Sequence, residues 1–290
     1  MGGASVQDSL RRAGFDLQGA AHTLVETRPW AARGRTVLAQ NAWNVIPTPL
    51  FFDMIRDYPP RRAYRHVLRR GAAQASLRLA REVVCLSESM ARWTRPHTRA
   101  KVVSAPVTVP LDLAHLQTAA RPEHVAEWER TILATGGITP SKRPLDAVEI
   151  AVQLRQMSGA ELGMVFAGGV ADPALWARVQ QRCLDYGLPV TLQKLDRAEM
   201  VEAYLGCQAA IVVTGLESLS FGLTEALALS SRVVASPLAV HLESARRIGR
   251  QPVWSHELKS DTQFDMEPRR PAHAMDEWRA VGEALGLPHC

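Results

Sequence analysis

Residues 215–236 read GLESLSFGLTEALALSSRVVAS. Two glutamates, Glu217 and Glu225, have seven residues between them, and Gly222 is one of the seven. The run before this stretch, AAIVVT (209–214), and the run that ends it, RVVAS (232–236), are short and apolar, as strands covered on both faces are. Strand, loop, helix and strand in this order make one step of a parallel sheet. In such sheets ligands sit beyond the carboxyl ends of the strands. Gly222 lets the backbone come close to a ligand there. A helix starting at about 222 aims its N-terminal amides and positive dipole end at the same place, which suits a phosphate. Glu225 is expected in the first turn of that helix. As a plain first-turn charge beside a solvated Glu217 it would need no ligand. At the edge of this sheet it has another use, accepting hydrogen bonds from sugar hydroxyls beside the phosphate. The stretch reads as a cradle for a sugar-bearing phosphate ligand.

The surrounding residues repeat the pattern. TILATGG (131–137), ELGMVFAGG (161–169), PVTLQ (189–193) and QPVW (251–254) read as further strands. PLDAVEIAVQLRQM (144–157) has apolar residues at helical spacing. Asp172 followed by Pro173 opens a second helix that Gly187 stops, and DRAE (196–199) has the form of a capping box opening a third. A helix is expected near 240–249. About six strands alternating with helices predict a parallel α/β sheet.

Toward the N-terminus RTVLAQ (35–40), EVVCLS (82–87) and KVVSAPV (101–107) read as strands. From Pro60 a helix is expected with arginine on one side and Ala, Leu and Val on the other. Residues 108–129 read as a connection. The 290 residues are 47% hydrophobic and 22% charged, enough for a large core in one or two domains. The net charge of +5 comes from 34 Lys and Arg against 29 Asp and Glu, and only Lys101, Lys142, Lys194 and Lys259 are lysines. That excess of arginine reads as genome composition, and no nucleic-acid partner is expected. The four cysteines are scattered without CxxC spacing, so neither zinc nor a disulfide framework is expected. The first residues lack an apolar signal region, and no apolar run approaches the ~18 residues of a membrane span. A cytoplasmic protein is the expectation, with a peripheral place at the inner membrane face left open.

ESLSFGLTEALALSSRVVAS resembles the E-x7-E signature of retaining GT-B glycosyltransferases, the group 1 (GT4-like) family. LATGGITPSKRPLDAVEIA (133–151) is similar to that family's strand, loop and helix G-R-L-x-P-x-K-R-x-D-x-A-x-E-A, and VCLSESMARW (84–93) is similar to its V-S-E-x-M pattern. The resemblance covers roughly 82–255. It implies an α/β, GT-B-like fold of two Rossmann-like parallel-sheet domains, the N-terminal one incomplete. The divisions it implies are a shortened N-terminal domain at 1–115, a linker at 116–130 and a nucleotide-sugar domain at 131–260. A tail helix at 261–290 is expected to pack back on the N-terminal domain.

The activity implied is transfer of a sugar from a UDP- or GDP-type donor to an acceptor hydroxyl with retention of configuration. Glu217 would contact the donor sugar, Glu225 the ribose, and Lys142 the donor phosphate. Gly136, Gly137, Arg143, Ser220, Phe221, Gly222 and Leu223 would line the donor. Asn41 and His22 are the acceptor-side candidates, for an acceptor that is a small molecule, a glycan or lipid-linked. No metal and no cofactor is expected, since no DxD motif is present. Two departures stand out: Gly137 takes the place of the family's arginine, and the glycine-rich opening strand is missing. They leave open a partner chain or oligomer that completes the acceptor side, an upstream start, and a degenerate nucleotide-sugar-binding partner of an active transferase.

Overall fold

The computed structural model describes residues 35–39, 44–107, 120–264 and 274–284, with single positions 13, 32, 33 and 118. Candidates Asn41 and His22 lie outside the described residues. The chain divides into two compact units. The first takes residues 1–111, 216–219 and 272–290; the second takes 112–215 and 220–271.

In the first unit β1 (Thr36–Ala39) is followed by α1 (Thr48–Ile55), α2 (Pro60–Leu79), β2 (Glu82–Cys85), α3 (Glu88–Thr94) and β3 (Lys101–Ser104). The three strands pair in parallel in the order β1-β2-β3. Val37, Val83, Cys85, Phe51, Ile55 and Leu77 form the core. Ser87 caps α3 by accepting from the Met90 amide at 3.1 Å. Its hydroxyl donates to the Ser218 carbonyl at 3.0 Å, and Leu216, buried in the same core, holds segment 216–219 there.

The second unit opens with α4 (Pro122–Ala126), in a stretch expected to be linker. It continues with β4 (Thr131–Thr135), α5 (Pro144–Ser158), β5 (Gly163–Ala167), α6 (Pro173–Asp185), β6 (Val190–Gln193), α7 (Arg197–Gly206), β7 (Ala209–Val212), α8 (Phe221–Leu229), β8 (Val233–Ala235), α9 (Ala239–Ile248) and β9 (Val253–Trp254). A final helix, α10 (Ala274–Ala284), groups with the first unit. The six strands are all parallel, in the order β6-β5-β4-β7-β8-β9. Numbered from β4, that is the doubly wound order 3-2-1-4-5-6, and the direction of winding reverses between β4 and β7. β4 and β7 are apolar because both faces are covered: Ile132, Ala134, Ala209 and Ile211 are buried among Val148, Ala151, Phe166 and Val234 on one face, and Leu133 and Ala210 are buried on the other.

The expected starts of α6 and α7 are found. Asp172 accepts from the Leu175 amide with Pro173 in the first turn, and Asp196 and Glu199 form a complete capping box. α8 departs from expectation. It begins at Phe221, and Ser220 makes no side-chain capping bond, so Glu225 stands in the second turn and not the first. Among the described residues, no helix is long and apolar enough to cross a membrane.

Candidate functional site at the switch point

Two loops leave the sheet where its winding reverses. The first follows β4 through Gly136–Thr139, a single 3-10 turn (Pro140–Lys142) and Arg143 into α5. The second follows β7 through Thr214 and Gly215. The Ser141 carbonyl ties them together, accepting from the Thr214 hydroxyl at 2.8 Å and the Gly215 amide at 2.7 Å.

The glycines fix the first loop. Gly136 has φ +112°, where a side chain would be strained, and its bare face lies against the stem of Lys142, with Cδ 3.3 Å from where a Cβ would stand. The stem of Lys142 thereby lies along the loop just past the end of β4. A Cβ on Gly137 would stand 2.8 Å from the Gly169 carbonyl oxygen, and one on Gly168 would stand 2.7 Å from Gly136 C and Gly137 N. The ends of β4 and β5 are in backbone contact, continued by the Ile138 amide donating to Gly169 O at 2.9 Å. This explains the missing arginine: at position 137 no side chain fits without moving backbone.

α8 begins beside the same strand end. A Cβ on Gly222 would meet the Thr135 hydroxyl at 3.4 Å and the Tyr204 hydroxyl at 3.7 Å. The buried Tyr204 donates to the Gly222 carbonyl at 3.0 Å. Burial first, then the charge of Glu225, pushes the Tyr204 phenol well above its ordinary pKa, so it is a fixed neutral donor. Glu225 is buried and pairs with Arg197, Nη1 to Oε1 at 2.8 Å. Arg197 and Tyr204 stand on one face of α7 and hold the first two turns of α8. At the other end of α8 the buried Arg250 donates to the carbonyls of Leu227, Ser230 and Ser231 at 2.7, 2.6 and 2.6 Å. A cation among the last carbonyls of a helix also complements its dipole.

The remaining candidates separate. Leu223 is fully buried and Ser220 nearly so, so only their backbones can reach a ligand; Phe221 is half-buried. Arg143, left-handed at φ 44°, turns its exposed guanidinium toward Asp146 at 3.7 Å. Glu217 lies in segment 216–219 of the first unit, whereas Lys142, Gly136, Gly137, Gly222 and Glu225 belong to the second. Arg197, Tyr204 and Arg250 were not expected from the sequence. The one signal for the first two was their spacing along one face of the helix opened by Asp196. Among the described residues no group of three or more His, Cys, Asp and Glu could hold a metal ion, and Cys85, Cys183 and Cys207 are free and buried. The cleft over Thr135, Gly136, Gly137 and Lys142 holds about 10 Å³, floored by Phe166, Ile211 and Val213. That is room for one water.

The fold is the α/β, parallel-sheet GT-B fold, and solved structures share it. A UDP-forming trehalose-phosphate synthase from Burkholderia xenovorans is 12% identical with a TM-score of 0.54, covering 89% of this chain and 62% of its own. The E. coli trehalose-6-phosphate structure bound with UDP-2-fluoro glucose is 11% identical with a TM-score of 0.53, covering 86% of this chain and 59% of its own. A single-site mutant of S. aureus TarM, in complex with fondaparinux, alpha-GlcNAc-glycerol and UDP, is 11% identical with a TM-score of 0.50, covering 87% of this chain and 44% of its own. The chain therefore spans about three fifths of the length of the synthases it matches. No protein-family model and no curated protein sequence matches it.

Proposed function

We propose that the chain is a glycosyltransferase that binds a nucleotide-diphosphate sugar at the switch point and transfers the sugar to an acceptor hydroxyl with retention of configuration. One observation carries the reading. The amino end of α8, the Lys142 stem and the carboxyl end of β4 meet around Thr135 and Gly136, with the Glu225 carboxylate in the second turn of the same helix. The fold shared with structures that hold UDP or a UDP-sugar analogue supports it.

In the reaction, the bond between the anomeric carbon and the phosphate oxygen breaks, and the diphosphate leaves with the electron pair. The acceptor oxygen bonds to the anomeric carbon, and its proton passes to the departing phosphate. Lys142 and the first amides of α8 stabilise the charge that develops on the leaving group. Glu225, held by Arg197, accepts from the ribose hydroxyls. Glu217 is assigned to the donor sugar hydroxyls on its place in the E-x7-E signature.

The test is calorimetry and thermal shift with a panel of UDP- and GDP-sugars. One sugar should raise the melting temperature well above the others by mass action. Lys142→Ala and Glu225→Ala should each weaken its binding by roughly 30-fold, the loss of one charge-assisted hydrogen bond of about 2 kcal/mol. Unchanged affinity in both variants would remove the assignment. A second reading, a nucleotide-sugar-binding partner without activity of its own, is favoured by the closed backbone at Gly137, which leaves this loop one cation fewer. Donor binding with no transfer or hydrolysis would select it.

A further inference from the structure

Exposed apolar side chains gather in one part of the first unit. Of nine large ones among the described residues, six (Leu50, Phe52, Tyr64, Val67, Leu68 and Leu79) belong to α1 and α2. α2 runs for 20 residues, PRRAYRHVLRRGAAQASLRL, without one Asp or Glu. Its inner face is Arg70, Ala73, Ser76 and Leu77. Arg70 serves the fold: it donates to the Ile46 carbonyl at 2.7 Å and its guanidinium stands 4.5 Å over the Phe51 ring. The outer face is different. Arg61, Tyr64, Arg65 and Leu68 recur at i, i+3, i+4 and i+7, all exposed, with Tyr64 at 64% and Leu68 at 54%. The positive charge registers on His66, whose pKa is lowered by burial first and then by Arg69 and Arg62.

We infer that the outer face of α2 is a docking surface for an anionic lipid bilayer. This goes beyond the proposed transfer reaction and does not rest on it. A basic helix with tyrosine and leucine between its arginines suits the headgroup layer: guanidiniums meet lipid phosphates while Tyr64 and Leu68 enter the acyl boundary. Charge selects this occupant. A second copy on the same face would set arginine against arginine, and a nucleic acid would need stacking aromatics where this helix offers Tyr64 alone. With no spanning helix among the described residues, the attachment through this face is peripheral.

Flotation of the full chain with vesicles tests it. The chain should float with vesicles of equal parts phosphatidylglycerol and phosphatidylcholine, stay behind with phosphatidylcholine alone, and be partly released by salt. Arg61→Gln with Arg65→Gln should weaken partition by roughly 30-fold, at about fivefold for each basic residue near an anionic surface. Tyr64→Ser with Leu68→Ser should abolish the salt-resistant fraction. All four residues are exposed, so circular dichroism and melting should be unchanged. The inference fails if binding ignores lipid charge, or if both double variants float like the parent. It fails equally if the Tyr64/Leu68 variant turns a dimer into a monomer in light scattering, or if the chain ignores vesicles and binds single-stranded RNA through the same arginines.

Discussion

The carboxyl edge of the six-stranded sheet and the outer face of α2 both mix charge with apolar surface, yet they are built in opposite ways. At the sheet edge charges and backbone groups find partners within the protein: Glu225 has Arg197 and the Gly222 carbonyl has Tyr204, while at the far end of α8 the last carbonyls have Arg250. Bare glycines let the strand ends touch. On α2 Arg61, Tyr64 and Arg65 face solvent, as does Gly71, where an added Cβ would meet nothing within 4 Å. The first region is preorganised, so substitutions there act on the fold. The second is a surface, and substitutions there act on what it meets.

The largest break in this contrast is expected at the glycine contact. Gly168→Ala places a Cβ 2.7 Å from two backbone atoms that cannot give way singly, and should lower stability by about 3 kcal/mol or more. In a thermal melt that is a fall of roughly 10 °C. Gly169→Ala is the control, because a Cβ there meets nothing within 4 Å and its φ is not left-handed. Equal losses in the two variants would show that the backbone contact does not hold the β4 and β5 ends together.

Arg250→Met comes next. The change removes three charge-assisted hydrogen bonds and leaves buried carbonyls at the end of α8, at a cost of about 3 kcal/mol. Urea denaturation should show a lower midpoint with an unchanged slope. A neutral result would mean that water satisfies those carbonyls and that Arg250 does not anchor α8.

How far these features could be read beforehand follows from their range. Buried parallel strands are apolar runs, so β4, β5, β7 and β8 were legible within one or two residues. Asp172 with Pro173 and Asp196 with Glu199 announce their helices through local hydrogen bonds, and those starts were legible too. α8 carries no such side-chain cap, and its pattern sets the start about a residue late, which moves Glu225 to a different turn. The Arg197–Glu225 pair joins two helices and Arg250, just past α9, is tied to the end of α8, and pattern along the chain has no term for contacts between residues so far apart in sequence. The closed space at Gly137 was equally invisible, because it depends on Gly169 in the neighbouring loop.

A smaller effect, set by pH, is expected at the entry to the second unit. Glu202 on α7 accepts from the Arg121 amide at 3.2 Å and pairs with His124 at 3.1 Å, so α4 docks there, over a Gly206 whose Cβ would strike Val125 O and Trp128. Burial works against the charged carboxylate, but the Arg121 and His124 hydrogen bonds and charges outweigh it and hold the Glu202 pKa below its ordinary 4.5. Its stabilisation is therefore present above that value and lost as pH falls through the lowered one. Glu202→Gln should cost about 1 kcal/mol at neutral pH, and the gap should close in acid. A gap that stays constant down to strongly acid pH would show that charge has no part in the docking.

The smallest effect has the opposite sign and sharpens the contrast most. Gly71 interrupts α2 on its exposed side, in helical backbone, with open space where a Cβ would go. Alanine there loses less chain entropy on folding and adds no clash, so Gly71→Ala should stabilise by up to about 1 kcal/mol. Gly168→Ala makes the same chemical change and should destabilise by several times as much. If Gly71→Ala also destabilised, the outer face of α2 would be packed against protein rather than open, and the docking surface inferred for it would already be occupied.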